Sequence, residues 1–108
     1  MKSFAVFILL TFSTVVMASD YQCFSYNTGK QVIANSDTGL IVVKDRFGNE
    51  LDVILDAGTS ISVLSTYPET TQVLFEKDND IVLIIQQQGE SIQATYADDN
   101  SFRCRSLN

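Results

Sequence analysis

Asn27-Thr28-Gly29-Lys30, Ser36-Asp37-Thr38-Gly39, Phe47-Gly48-Asn49 and Asp56-Ala57-Gly58-Thr59 punctuate this chain every nine or ten residues. Between them lie Gln31-Val32-Ile33-Ala34, Leu40-Ile41-Val42-Val43 and Leu51-Asp52-Val53-Ile54-Leu55. The clusters hold the residues that turns need: glycine for positive φ, and Asn, Asp, Ser and Thr for side-chain bonds to nearby backbone. The segments between are short and rich in β-branched and large apolar residues. Short apolar runs separated by regular turn signals predict an antiparallel meander.

The rhythm continues to the C-terminal side, with breaks at Pro68-Glu69, Asp78-Asn79-Asp80, Gln88-Gly89-Glu90 and Asp98-Asp99-Asn100. About eight strands are expected. Glu50-Leu51-Asp52-Val53-Ile54-Leu55 places Leu51, Val53 and Leu55 on one face, because side chains alternate across a strand. Ser91-Ile92-Gln93-Ala94-Thr95-Tyr96 alternates likewise, with Ile92, Ala94 and Tyr96 inward. Ile81-Val82-Leu83-Ile84-Ile85 is apolar throughout and predicts a central strand covered on both faces. Residues 60–67 are ambiguous between a strand and an irregular loop. A flat sheet of eight strands would leave one apolar face and two raw edges. Closure into a small antiparallel β-barrel, or folding into a sandwich, removes both problems. At this size a barrel interior would be filled by side chains.

The N-terminal end reads as an export signal: Lys2, an apolar run over residues 4–16, and small residues at Ala18 and Ser19. Cleavage after Ala18 leaves residues 19–108 as a single β domain. The apolar run is shorter than the roughly 20 residues a membrane span needs. Cys23 follows Asp20-Tyr21-Gln22, which does not suit lipoprotein processing, so no stable membrane anchor is expected. The product is expected in the periplasm or secreted medium. There, two cysteines default to a disulfide. A Cys23–Cys104 bridge would staple the first strand to the last and so close the β domain; its loop of about 80 residues would add roughly 4.5 kcal/mol in the chain-entropy treatment.

Without Lys2, six basic residues face thirteen acidic ones, a net charge of −7. That balance disfavours nucleic acid and anionic membranes, which call for basic patches. The chain has no histidine, so Ser-His and Cys-His nucleophile pairs are excluded. Two cysteines that bridge leave no usual zinc site. Asp78 with Asp80 and Asp98 with Asp99 are paired carboxylates, but each pair falls in a turn where aspartate is expected anyway. Asp78-Asn79-Asp80 lacks the glycine and the terminal glutamate of a calcium loop. The expectation is a non-enzymatic protein with no cofactor and no metal, whose loops bind another macromolecule. The most hydroxyl-rich stretch, with Ser60, Ser62, Ser65, Thr66 and Tyr67, ends at Pro68, and Lys77 is one of few cations.

Tyr21-Gln22-Cys23 near the expected mature N-terminus and Phe102-Arg103-Cys104 near the C-terminus resemble the periplasmic and membrane-bound bacterial inhibitors of c-type lysozyme. The serine-containing segment ending in Tyr67, followed by Phe75-Glu76-Lys77, extends the resemblance. The chain departs from that family where Ser62-Val63-Leu64-Ser65-Thr66-Tyr67 lacks the glycine and basic residue of its Ser-Gly-x-basic-Tyr core, and it has no tryptophan before the lysine. The resemblance implies a small exported β-barrel that plugs the cleft of a basic c-type lysozyme, with Ser60, Ser62, Tyr67 and Lys77 in contact. Two other classes fit the residues: an exported adaptor for another protein, which would expose an apolar patch or an unprotected strand edge, and a small-ligand-binding barrel, which would enclose a cavity.

Overall fold

A computed structural model describes residues 20–107, and the expected export segment, residues 1–18, lies outside them. The described residues form nine strands: β1 (Asp20–Ser25), β2 (Gln31–Asn35), β3 (Leu40–Lys44), β4 (Glu50–Ile54), β5 (Gly58–Thr66), β6 (Glu69–Lys77), β7 (Asp80–Gln88), β8 (Ser91–Tyr96) and β9 (Asp99–Ser106). All pairings are antiparallel, in one sheet of order β4-β3-β2-β1-β9-β8-β7-β6-β5.

The turns form where their chemistry demands. Asn35 Oδ1 accepts from the backbone N–H groups of Asp37 and Thr38, both at 2.8 Å. Asp45 Oδ1 does the same for Phe47 and Asn49, also at 2.8 Å. These contacts replace water on amides that the ladder leaves unpaired. Asp78-Asn79 and Ala97-Asp98 have positive φ at both positions. That geometry matches the right-handed twist of the flanking strands in a two-residue hairpin. Tyr67 and Pro68, joined by a cis peptide, connect β5 to β6.

Alternation sends one set of side chains to the concave face of the curled sheet. Tyr21, Cys23, Val32, Ala34, Ile41, Val43, Val73, Phe75, Leu83, Ile85, Ile92, Ala94 and Phe102 are buried there. Tyr96 packs edge-on against Phe102, ring centroids 6.3 Å apart. Each fully buried aliphatic or aromatic side chain in such a core contributes about 1.5–3 kcal/mol relative to exposure.

The sheet does not close. It is a half-barrel, neither the barrel nor the sandwich expected, because β4 and β5 lie at opposite ends of the strand order and do not pair with each other. Only residues 55–57 join them. That link is fastened elsewhere: Ala57 N donates to Gly39 O at 3.0 Å, and Thr59 Oγ1 donates to Ser36 O at 3.0 Å. Gly39 has φ +74°, and a Cβ there would stand 2.1 Å from the Ala57 carbonyl oxygen, so this corner accepts only glycine. Beyond the corner the edges part. The register shifts at Val43/Lys44 beside β4 and at Val63/Ser65 within β5; such irregularities bend a strand and add twist.

Cys23 and Cys104 form the expected disulfide, as direct cross-strand partners of β1 and β9 at a sequence separation of 81. Its place corrects the expectation of a closing staple. The first and last strands meet in the middle of the sheet, and the open seam lies between β4 and β5. Strand β7 is likewise not covered on both faces: Leu83 and Ile85 are buried, Val82 and Ile84 half-buried, and Ile81 exposed. Leu51, Val53 and Leu55 do share one face, but it is the exposed one.

Candidate functional site

The segment read as ambiguous over residues 60–67 is strand through Thr66, and with β6 it makes the hairpin at one edge of the sheet. Strands β5, β6 and β7 are nine residues each, whereas β2, β3 and β4 are five. The long hairpin follows from the run Gly58-Thr59-Ser60-Ile61-Ser62-Val63-Leu64-Ser65-Thr66, which is rich in β-branched residues and contains no charge or proline.

The four residues expected at a protein contact are not gathered in one place. Ser60 and Ser62 lie opposite Leu74 and Gln72 and share the outer, convex side of β5. Tyr67 sits at the hairpin tip and is 93 % exposed. At about 3.3 Å per residue, Ser62 and Tyr67 are separated by roughly 16 Å along the strand. Lys77 is at the hairpin base, has the sequence parity of the inward Phe75, and donates from Nζ to the Leu55 carbonyl at 2.6 Å. It therefore tethers the β4–β5 link, while the serines and the tyrosine are presented outward.

A shallow hollow of about 200 Å³ adjoins Ser60, lined by Gly58, Thr59, Leu74, Glu76 and Ile81. A second, of about 190 Å³, is lined by Ile81, Val82, Leu83, Ile84, Thr95, Ala97 and Asp98. Both are smaller than the roughly 300–1,000 Å³ typical of small-molecule sites.

Ser25, Asp99 and Ser101 form a dense polar cluster. Asp99 Oδ1 accepts from Ser101 Oγ at 2.6 Å and from Ser101 N at 2.8 Å, and Oδ2 accepts from Ser25 Oγ at 2.7 Å. Ser25 Oγ in turn accepts from the Asn27 and Thr28 amides at 3.2 and 3.1 Å. The Ser101 hydroxyl, the Ser101 amide and the Ser25 hydroxyl hold the Asp99 carboxyl below its ordinary range. A carboxylate so stabilised is a weak base, and its acceptor capacity is spent on pinning the β1–β2 and β8–β9 turns together. Asp98, the neighbouring carboxylate in the sequence pair, is instead one of the two positive-φ residues of the turn. Among the described residues no group of three or more His, Cys, Asp or Glu side chains is placed to hold a metal ion.

Two apolar features were missed in the sequence. Ile61, Val63 and Leu64 of the edge strand are 54 %, 57 % and 52 % exposed. On the convex side, Val53 lies across from Val42 and Val42 across from Ile33, with Leu40, Leu51 and Leu55 exposed around that row. The sequence carries a signal for the first of these, the alternation of Ile61 and Val63 with serines inside an uncharged run. No protein-family model, curated protein or solved structure matches the chain.

Proposed function

We propose that this chain is an exported, non-enzymatic binding domain whose β5–β6 hairpin engages another protein, and that its target is a basic c-type lysozyme. The observation that carries this reading is the nearly complete exposure of Tyr67 at the tip of the long edge hairpin. Ser60 and Ser62, on the outer side of the same hairpin, supply hydroxyls for the catalytic carboxylates of an enzyme cleft. A domain with net charge −7 is drawn to a cationic enzyme by long-range attraction, which salt weakens. The disulfide at the sheet centre suits an oxidising location in the periplasm or outside the cell. Lys77, tied to the Leu55 carbonyl, contributes by holding the hairpin base rather than by reaching the partner.

The test mixes the folded, oxidised protein with a c-type lysozyme and follows cell-wall lysis. Stoichiometric slowing, relieved by Tyr67→Ala and by raised salt, is the expected result. Unchanged lysis at a large molar excess of inhibitor would overturn the lysozyme assignment. A second reading, an adaptor for a different exported protein, is favoured by the apolar convex row Ile33, Val42 and Val53. The small-ligand reading has little support, since the hollows beside Ser60 and beside Thr95 are shallow.

A further inference from the structure

We propose that the free edge of β5 pairs with β5 of a second copy of this chain, continuing the sheet across a two-fold axis. Among the described residues no strand lies along the outer side of β5. An unpaired edge offers a row of backbone donors and acceptors to any extended strand. Natural edges are commonly guarded by lysine, proline or an inward charge, yet β5 carries none of these. Residues 57–68 form an uncharged run of twelve in a strongly acidic chain.

Charge selects the partner and the edge. Two copies whose residues 19–108 each carry net charge −7 repel, so contact is favoured where neither presents a carboxylate. Pairing β4 with β4 of another copy would bring Glu50 and Asp52 against their own kind. Pairing β4 with β5 is head-to-tail, the arrangement that builds rings or open chains and needs two different edges to match. The β5–β5 contact is isologous and closes at two copies. It also joins strands of nine residues, against five for β4.

The strand is self-complementary. A two-fold axis perpendicular to the sheet keeps each face on its own side, so paired residues share sequence parity. Near Gly58 the edge is occupied by the contact from Thr59 to Ser36, and register within β5 shifts after Val63. An axis through Ser62 fits between these limits. It sets Ile61 of one copy against Val63 of the other on the concave side, and Ser62 against Ser62 on the convex side. Ile61 and Val63, half-exposed in one copy, would then be covered. The Ser60 and Ser62 side chains stand perpendicular to the sheet and stay accessible, so this pairing is independent of the lysozyme reading.

The test is sedimentation equilibrium of the oxidised protein across a wide concentration range, with hydrogen exchange at its two extremes. A monomer–dimer equilibrium is expected, with amides of residues 60–64 slowed at high concentration and those of β4 unchanged. Ile61→Lys should raise the dissociation constant about 100-fold, because a two-fold contact carries the substitution twice. Leu51→Lys on β4 should leave the constant unaltered. Circular dichroism establishes that each variant is folded. A protein monomeric at every concentration, a dimer indifferent to Ile61→Lys, protection that moves to β4, or open-ended oligomers would each overturn the proposal.

Discussion

Replacing both Cys23 and Cys104 with alanine tests how the two halves of the sheet are held together. Strands β1–β4 and β5–β9 are separate meanders, joined by the link at residues 55–57 and by the β1–β9 ladder. The disulfide crosses that ladder and closes a loop spanning 81 residues of sequence separation. Chain-entropy closure over such a loop corresponds to about 4.5 kcal/mol at 25 °C. A domain of this size has a net stability of roughly 4–13 kcal/mol, so the loss is a third of the total or more. The assay is equilibrium urea unfolding of the oxidised wild type and the double variant. With a slope of about 2 kcal/mol per molar for a small protein, the midpoint should fall by about 2 M. Midpoints within about 0.5 M of each other, at unchanged slope, would refute the reasoning. They would mean that the unfolded chain already keeps its two ends together.

Gly39→Ala should destabilise the fold by at least about 2 kcal/mol in the same assay, since the new methyl meets the Ala57 backbone and the residue has positive φ. Tyr21→Phe should be neutral or stabilising by up to about 1 kcal/mol, because the buried Tyr21 hydroxyl has no partner among the described residues. Burial raises the Tyr21 hydroxyl above its ordinary range, so it stays neutral at physiological pH. The Asp99 carboxyl titrates lower when folded than the ordinary value of about 3.9. Its contribution is therefore complete above that value and lost as pH falls through the lower folded one. Melting curves from pH 5 to pH 2 should show a steeper loss for wild type than for Asp99→Asn. Asp45, lowered first by the Asn49 amide, contributes with the same sign.

What the sequence makes legible here is local. Glycine, asparagine and aspartate mark the hairpins because each turn needs its own φ or side-chain acceptor, and Gly29, Gly39, Gly48 and Gly89 all have positive φ. Alternation places Ile92, Ala94 and Tyr96 inward; Ile92 and Ala94 are buried, and Tyr96 is half-buried against the core. Closure is not local. Whether β4 meets β5 depends on the tie between Ala57 and Gly39, residues 18 apart, and on register shifts that leave no compositional trace. The period of two assigns Leu51, Val53 and Leu55 to a common face but cannot say which face is covered. The same limit applied to the candidate site: Ser60, Ser62 and Tyr67 fall on one hairpin, whereas the link to Leu55 that occupies Lys77 joins separate elements. The Asp99 cluster escaped because its members, Ser25 and Ser101, come from opposite ends of the chain.

The meeting of β1 and β9 makes the sheet order a cyclic rotation of the chain order. Read from β5 through β9, then β1 to β4, the sheet is one uninterrupted meander. Leu107 N donates to Asp20 O at 2.9 Å, so the two strand ends are within reach of a short connection. A permuted chain that begins at Gly58, crosses from Leu107 to Asp20 and ends at Leu55 would make every strand pairing with its nearest neighbour in sequence. Its longest search would become a hairpin closure, and folding should quicken accordingly. In that order the Cys23–Cys104 bond would span only a short loop and add little to stability. The value of the bond in the natural order thus belongs to where the chain is cut rather than to the sulfur atoms themselves.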